Sequence, residues 1–268
     1  MEQMSLEVHI MNVGDVELDS GFLVWGHDLG KRLIVPTYSF LILGAEKPIL
    51  VDTGFRSTDI MARLGMVGIQ TEEQKIENHL AKHGLKPEDI GYVIHTHLHI
   101  DHAGQTHKFP DAVAVVQRRE MEAAFSGTMG KQYTYEDSEH MFQRLHKPGS
   151  LWLLDGDKSG PIDVVPGVKC VFANSHTPGS QFVYVETSEG TAVICGDTIY
   201  NINLQTRHYR ELTGSYQTTG NHYWSRGDEM AAIARVVNDA DFLLPAHDYE
   251  IEETYGNKIG DASVKLSK

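Results

Sequence analysis

The chain has 268 residues, 41% of them apolar, and carries 37 acidic against 23 basic side chains, a formal charge of −14. That length supplies ample apolar material for one core and lies near the upper end of what a single domain holds, so residues 1–268 are read as one domain without boundary or repeat. The charge repels a phosphate backbone and argues against nucleic acid as a partner, no apolar run approaches the roughly 20 residues of a membrane span, and residues 1–11, with Glu2, Glu7 and His9, lack the basic start and unbroken apolar stretch of a secretory signal.

In chain order, apolar and β-branched runs bounded by Gly, Pro and polar clusters predict strands over residues 6–13, 39–43 and 49–51. Thr71 and Gln74 then form a capping-box pair that opens a helix through His83, with Ile76 and Leu80 at apolar spacing and Gly84 as the stop. Strands follow at 91–95 and 112–116, a helix at 118–125, and strands at 168–172, 182–186 and 191–195. A helix over 227–237, with Met230, Ile233, Ala234 and Val237 on one face, leads into a last strand at 241–244. Strands first and mixed elements later predict an α/β layered fold. Cys170 and Cys195 both fall in expected strands, so buried free thiols of a protein in the reducing cytoplasm are expected rather than a disulfide or a thiolate metal site.

Immediately after the apolar run 91–94, residues 96–102 read Thr-His-Leu-His-Ile-Asp-His. Imidazole nitrogen and carboxylate oxygen are donors that borderline divalent ions such as zinc prefer, and packing alone has no use for four of them in so short a segment. Alternate residues of an extended chain project to one side, so His97 and His99 can grip one ion while Asp101 and His102 face a second. His95 continues the alternation but is read as a buried polar group of the core. Farther on, His176, Asp197 and His247 each follow a predicted strand, 168–173, 191–195 and 241–244 respectively, a place where a polar loop residue is common by itself.

The pattern His-x-His-x-Asp-His that starts at His97 resembles the signature loop of the metallo-β-lactamase superfamily. The resemblance implies a four-layer αβ/βα sandwich with metals at one edge of the paired sheets. It also implies two Zn2+ per chain, with Mn, Fe or Co as alternatives. One ion would have His97, His99 and His176, the other Asp101, His102 and His247, and Asp197 would bridge them. Val51-Asp52-Thr53-Gly54 resembles the superfamily's early Asp-Thr-Gly turn, which makes Asp52 a support for the ligands that does not itself touch metal.

Within the superfamily the chain is most similar to the N-acyl homoserine lactonases, which act in quorum quenching. Residues 34–42, His102-Ala103-Gly104, Phe109-Pro110 and 115–118 carry the likeness, as does Tyr200, three residues beyond Asp197. The resemblance implies a hydrolase that opens a small cyclic ester by attack of a metal-bridging hydroxide. Asp101 would carry the proton and Tyr200 would hydrogen-bond the carbonyl oxygen. One departure is Ser180, which stands where these lactonases usually have the second histidine of His-x-x-Gly-His. A different lactone, a cyclic carbamate or a lactam therefore stays open as substrate, as does a glyoxalase-like thioesterase that shares the ligand shell. Selectivity is expected from the early segment 22–25 and from the less regular stretches 133–142 and 209–224, all rich in aromatic residues and equally compatible with contacts in a homodimer or with core packing.

Overall fold

The computed structural model describes residues 3–127 and 130–266. Strands β1 (Glu7–Asp19) and β2 (Arg32–Leu43) form a long antiparallel hairpin. β3 (Ile49–Val51) pairs antiparallel with β2, and β4 (Tyr92–Ile94), β5 (Val113–Gln117) and β6 (Leu151–Leu154) continue the sheet in parallel. Gly68–Ile69 and Lys258–Ile259 also pair with β1, giving an eight-stranded sheet. A five-stranded sheet, in the order β11-β10-β9-β8-β7, is built from β7 (Ile162–Val165), β8 (Val168–Phe172), β9 (Gln181–Thr187), β10 (Gly190–Gly196) and β11 (Phe242–Pro245). The helices used below are α1 (Ile76–Lys82), α2 (Ile100–Ala103), α3 (Arg118–Ser126), α4 (Tyr135–Leu145) and α5 (Arg226–Asp239).

The layering follows from side-chain alternation. Phe40, Ile42, Ile49 and Val51 point inward and meet Cys170, Val183, Ile194 and Leu244 of the second sheet. Their alternates Leu41 and Leu50 point outward and, with Val93, cover Ile76 and Leu80 of α1. On the second sheet Phe182, Val193 and Leu243 face outward against Ala232, Ile233 and Val236 of α5. Both faces of each sheet are thus buried, which is why the central strands are apolar throughout rather than alternating. Each fully buried side chain contributes roughly 1.5–3 kcal/mol relative to exposure, enough to hold the four layers αβ/βα in register.

Several expectations are corrected. β1 and β2 run well past residues 13 and 39, because Gly14, at φ +154°, is absorbed by a register shift between Asn12 and Asp15, and Pro36 sits opposite Asp15 where the pairing is interrupted. The first helix begins at Ile76, not Thr71: the Gln74 side chain accepts the Thr71 N–H at 2.8 Å, yet Thr71 returns no cap bond and residues 71–75 form turns. β4 ends at Ile94, so His97 and His99 lie in a loop rather than in the strand. Residues 133–142 are not irregular: α4 starts at Tyr135 with the Thr134 hydroxyl accepting Asp137 N–H. Cys170 and Cys195 are buried and free. Among the described residues no helix is long and apolar enough to cross a membrane.

Candidate metal centre

The carboxyl ends of β3, β4, β8, β10 and β11 converge on one edge of the sandwich, the usual location for ligands in sheets with parallel strands. Asp52 follows β3, and residues 95–103 follow β4 with α2 carrying Asp101 and His102. His176 lies beyond β8, Asp197 directly follows β10, and His247 stands two residues after β11. Ligand-capable atoms lie within 4.8 Å of one another in three buried groups: His97, His99 and His176; His97, His102 and Asp197; and Asp101, His102 and His247. All seven donors singled out in the sequence are therefore brought together. His95 stays apart in the core, its Nε2 on the Thr106 hydroxyl at 3.0 Å.

The hydrogen bonds behind the imidazoles decide what their inner nitrogens can do. Nδ1 of His102 lies 2.9 Å from Asp52 Oδ2, that of His176 2.8 Å from the Asn221 carbonyl, and that of His247 2.7 Å from the Pro36 carbonyl. These partners only accept, so each Nδ1 carries a proton and each ring turns its Nε2 toward the centre. There the three nitrogens crowd around one carboxylate. His102 Nε2 is 3.1 Å from Asp197 Oδ1, His247 Nε2 is 3.4 Å from the same oxygen, and His176 Nε2 is 3.4 Å from Asp197 Oδ2. Nε2 of His97, His102 and His247 and Oδ1 of Asp197 are buried without a hydrogen-bond partner. Buried polar atoms left unpaired cost about 1–3 kcal/mol each, and a cation bound by these nitrogens and oxygens removes that cost. The nitrogen and oxygen set fits zinc or a related divalent ion.

Electrostatics point the same way. Burial pushes His97 and His99 well below the ordinary histidine range, and the neighbouring imidazoles push further. His176 is lowered mainly by burial. Burial alone would raise the Asp197 carboxyl, but His102 and His247 hold it well below the usual carboxylate range. For His102 and His247 burial opposes the charge, and Asp197 outweighs it, with Asp52 adding to the effect at His102 and Asp101 at both rings. The trihistidine group is thus neutral and ready to donate lone pairs, while the second group holds protons that a cation would displace.

Two local features keep the loops in place. Asp52, at φ +58°, is fully buried and accepts from Thr96 N–H at 2.8 Å, the Thr96 hydroxyl at 2.6 Å and His102 Nδ1. A left-handed non-glycine residue costs about 1–3 kcal/mol, which these three bonds offset. Gly196, at φ +53°, would place a Cβ 2.8 Å from the Thr96 hydroxyl, so only glycine lets β10 deliver Asp197 this close to the histidine loop.

Tyr200 is buried beside the cluster. Its hydroxyl donates to Asp197 Oδ2 at 2.6 Å and its ring stacks on His247 at 5.4 Å between centroids. With Asp101, Asp197 and His99 it floors a small cleft of about 40 Å³ walled by Leu18, Phe22, Met66 and Ile100, with Gln132 and Asn221 as polar neighbours. Of the aromatic-rich stretches, Phe22 and Asn221 reach this cleft, while Trp25, Phe142 and Tyr223 are exposed. Ser180 is held in the turn after His176, its hydroxyl on the Thr177 carbonyl at 3.3 Å. Sequence reading missed the carbonyls of Pro36 and Asn221, which carry no residue-type signal, and the buried Glu120, which looks like an ordinary charge on the surface of α3.

An αβ/βα sandwich with seven buried histidine and aspartate donors at one sheet edge defines a metal-binding protein. Residues 33–247 match the model of the Metallo-beta-lactamase superfamily, and the chain belongs to that superfamily. It is 32% identical over 176 residues to an N-acyl homoserine lactonase of Bacillus thuringiensis, a match that covers 62% of this chain and 64% of that protein. The chain thus matches just under two thirds of the length of that curated relative. Among solved structures, a quorum-quenching N-acyl homoserine lactone lactonase superposes with a TM-score of 0.75 at 25% identity, covering 97% of this chain and all of the other. An N-acyl homoserine lactone hydrolase with the product N-hexanoyl-L-homoserine at its catalytic metal centre superposes with a TM-score of 0.74 at 24% identity, covering 98% and 100%.

Proposed function

We propose that residues 1–268 form one domain that works as a dinuclear zinc lactonase, opening the ring of an N-acyl homoserine lactone or a closely similar cyclic ester in the cytoplasm. The observation that carries the reading is the placement of Asp197. Its Oδ2 faces His176 at 3.4 Å and His97 at 3.9 Å, while its Oδ1 faces His102 at 3.1 Å and His247 at 3.4 Å. One carboxylate so placed serves both groups, with His97, His99 and His176 on one side and Asp101, His102 and His247 on the other. Two ions held there supply an activated water and polarise a bound carbonyl.

The chain's own residues account for the remaining steps. Leu18, Phe22 and Met66 give an apolar wall for an acyl chain and exclude water around the ester. Burial and the neighbouring Asp197 and Asp101 push the Tyr200 hydroxyl far above its ordinary range, so it stays protonated and acts as a donor rather than a base. That hydroxyl leaves Asp197 Oδ2 to hydrogen-bond the oxyanion that forms as the ring carbonyl is attacked. Asp101, with its carboxylate 3.6 Å from His247 Nε2 and open to the cleft, takes a proton and returns it to the leaving alkoxide. The 32% identity to a lactonase supports a lactone as substrate. Ser180, in place of the usual histidine, bonds within its own turn and is not among the seven donors, so the metal groups do not depend on it.

The test is a panel assay of the zinc-loaded chain against acyl homoserine lactones, simple lactones, lactams, cyclic carbamates and thioesters, with ring opening followed by proton release. Lactone turnover above all other classes is expected. Preferential hydrolysis of a thioester or lactam, or no lactone turnover with both sites filled, overturns the proposal.

A further inference from the structure

Asp52 supports one half of the cluster through His102. The other half rests on a different buried carboxylate, Glu120 in the first turn of α3, which no step above uses and which is wholly inaccessible. Its Oε1 accepts the Leu98 N–H at 2.9 Å and the Tyr133 hydroxyl at 2.8 Å. Its Oε2 accepts the Thr177 hydroxyl at 2.7 Å and the Gly179 N–H at 3.0 Å. Every one of these donors belongs to a segment that carries or touches a histidine of the group His97, His99 and His176. Leu98 stands between the first two, Thr177 follows the third, and the Tyr133 ring lies edge-on to His99 at 5.0 Å. The turn also lies directly on the helix start, since a Cβ on Gly179 would come within 2.1 Å of the Glu120 nitrogen.

We propose that Glu120 is the positioning residue of the trihistidine half of the centre. It ties the loop after β4 to the loop after β8, so that three imidazoles from two sheets meet at one divalent ion. A carboxylate suits this place because it accepts at both oxygens and donates at neither. Glutamine has the same shape, but its NH2 would point at two of the four donors and force one loop away. The inference rests on the two-ion reading of the preceding subsection.

The full chain is prepared as wild type, Glu120→Gln, Glu120→Asp and Tyr133→Phe, and the two Zn2+ affinities are measured by chelator competition. Co2+ absorption spectra, kcat and KM are recorded alongside. Outer partners of metal ligands typically change affinity by about 10- to 100-fold, so Glu120→Gln is expected to weaken one site by that factor and the other by less than about threefold. The Co2+ bands of the weakened site should change, and kcat should fall more than KM rises. Tyr133→Phe, which removes one donor of four, should weaken the same site by a smaller factor, and Glu120→Asp should restore part of the loss. Equal weakening of both sites, or no weakening of either, overturns the proposal. Should Glu120→Gln fail to fold, Tyr133→Phe decides by the same criterion. A wild-type chain that takes up fewer than two ions overturns the underlying reading and the proposal with it.

Discussion

Removing one oxygen from Tyr200 separates its two bonding roles. Tyr200→Phe leaves in place the ring that stacks on His247, so no sizeable cavity opens, and deletes only the donor 2.6 Å from Asp197 Oδ2. In the resting protein the loss is one hydrogen bond to a carboxylate, about 1.5–3 kcal/mol. In the reaction the loss is a donor to the oxyanion, for which kcat should fall by about ten- to a thousandfold, or roughly 1.4–4 kcal/mol of transition-state stabilisation. KM should change by less than about threefold, because the ground-state carbonyl makes little use of that donor. The assay is steady-state hydrolysis of the best lactone, with elemental analysis of the same preparation. Wild-type turnover with both ions retained would refute the assignment and leave Tyr200 a packing residue. So would a loss of turnover that merely tracks loss of metal, since Tyr200 would then act only by orienting Asp197.

Wild-type chain should carry two divalent ions. Asp197→Ala should bind fewer, and His247→Ala should lose one while its far-ultraviolet circular dichroism stays native; two ions in Asp197→Ala would sink the shared-carboxylate reading. Asp52→Asn puts an amide among three donors and removes the acceptor that holds the proton on His102 Nδ1. The ring then turns an N–H toward the centre, and the affinity of that site should fall by about 10- to 100-fold in a chelator titration, whereas unchanged affinity would show that Asp52 only shapes its turn. His140 gives a pH signature away from the metals. Burial and the nearby Arg144 guanidinium lower it to about 4, and its Nε2 accepts from Arg144 Nε at 2.9 Å. The folded state therefore favours the neutral ring: the contribution is fully present above the unfolded value near 6.5 and is lost as pH falls from there toward 4. Urea midpoints between pH 7 and 4 should drop less steeply in His140→Gln than in wild type, and parallel slopes would refute the assignment.

How much of this was legible from residue order differs between ligands and their supports. The run from His97 to His102 announces metal chemistry because its donors are chemically distinctive and adjacent in the chain. His176, Asp197 and His247 are each commonplace alone and could be picked out only because the superfamily resemblance implies a ligand at the end of each later strand, where an apolar run precedes all three. Local preference likewise marks α5, where Met230, Ile233, Ala234 and Val237 recur at helical spacing and need no partner to be recognised, while its Ser225–Asp228 capping box emerged only from the structure. Hairpin length was less legible, since a glycine and a proline that look like strand breakers are absorbed by one register shift. Only the tertiary structure decided which nitrogen of each imidazole faces inward, because the deciding acceptors are the carbonyls of Pro36 and Asn221 and the carboxylate of Asp52, 211, 45 and 50 residues away from the rings they bind. A carbonyl is the same in every residue, and so leaves no mark on the sequence. The burial of Glu120 was equally hidden. A glutamate beside two arginines on a short helix reads as solvated until the loops after β4 and β8 close over it from two different sheets.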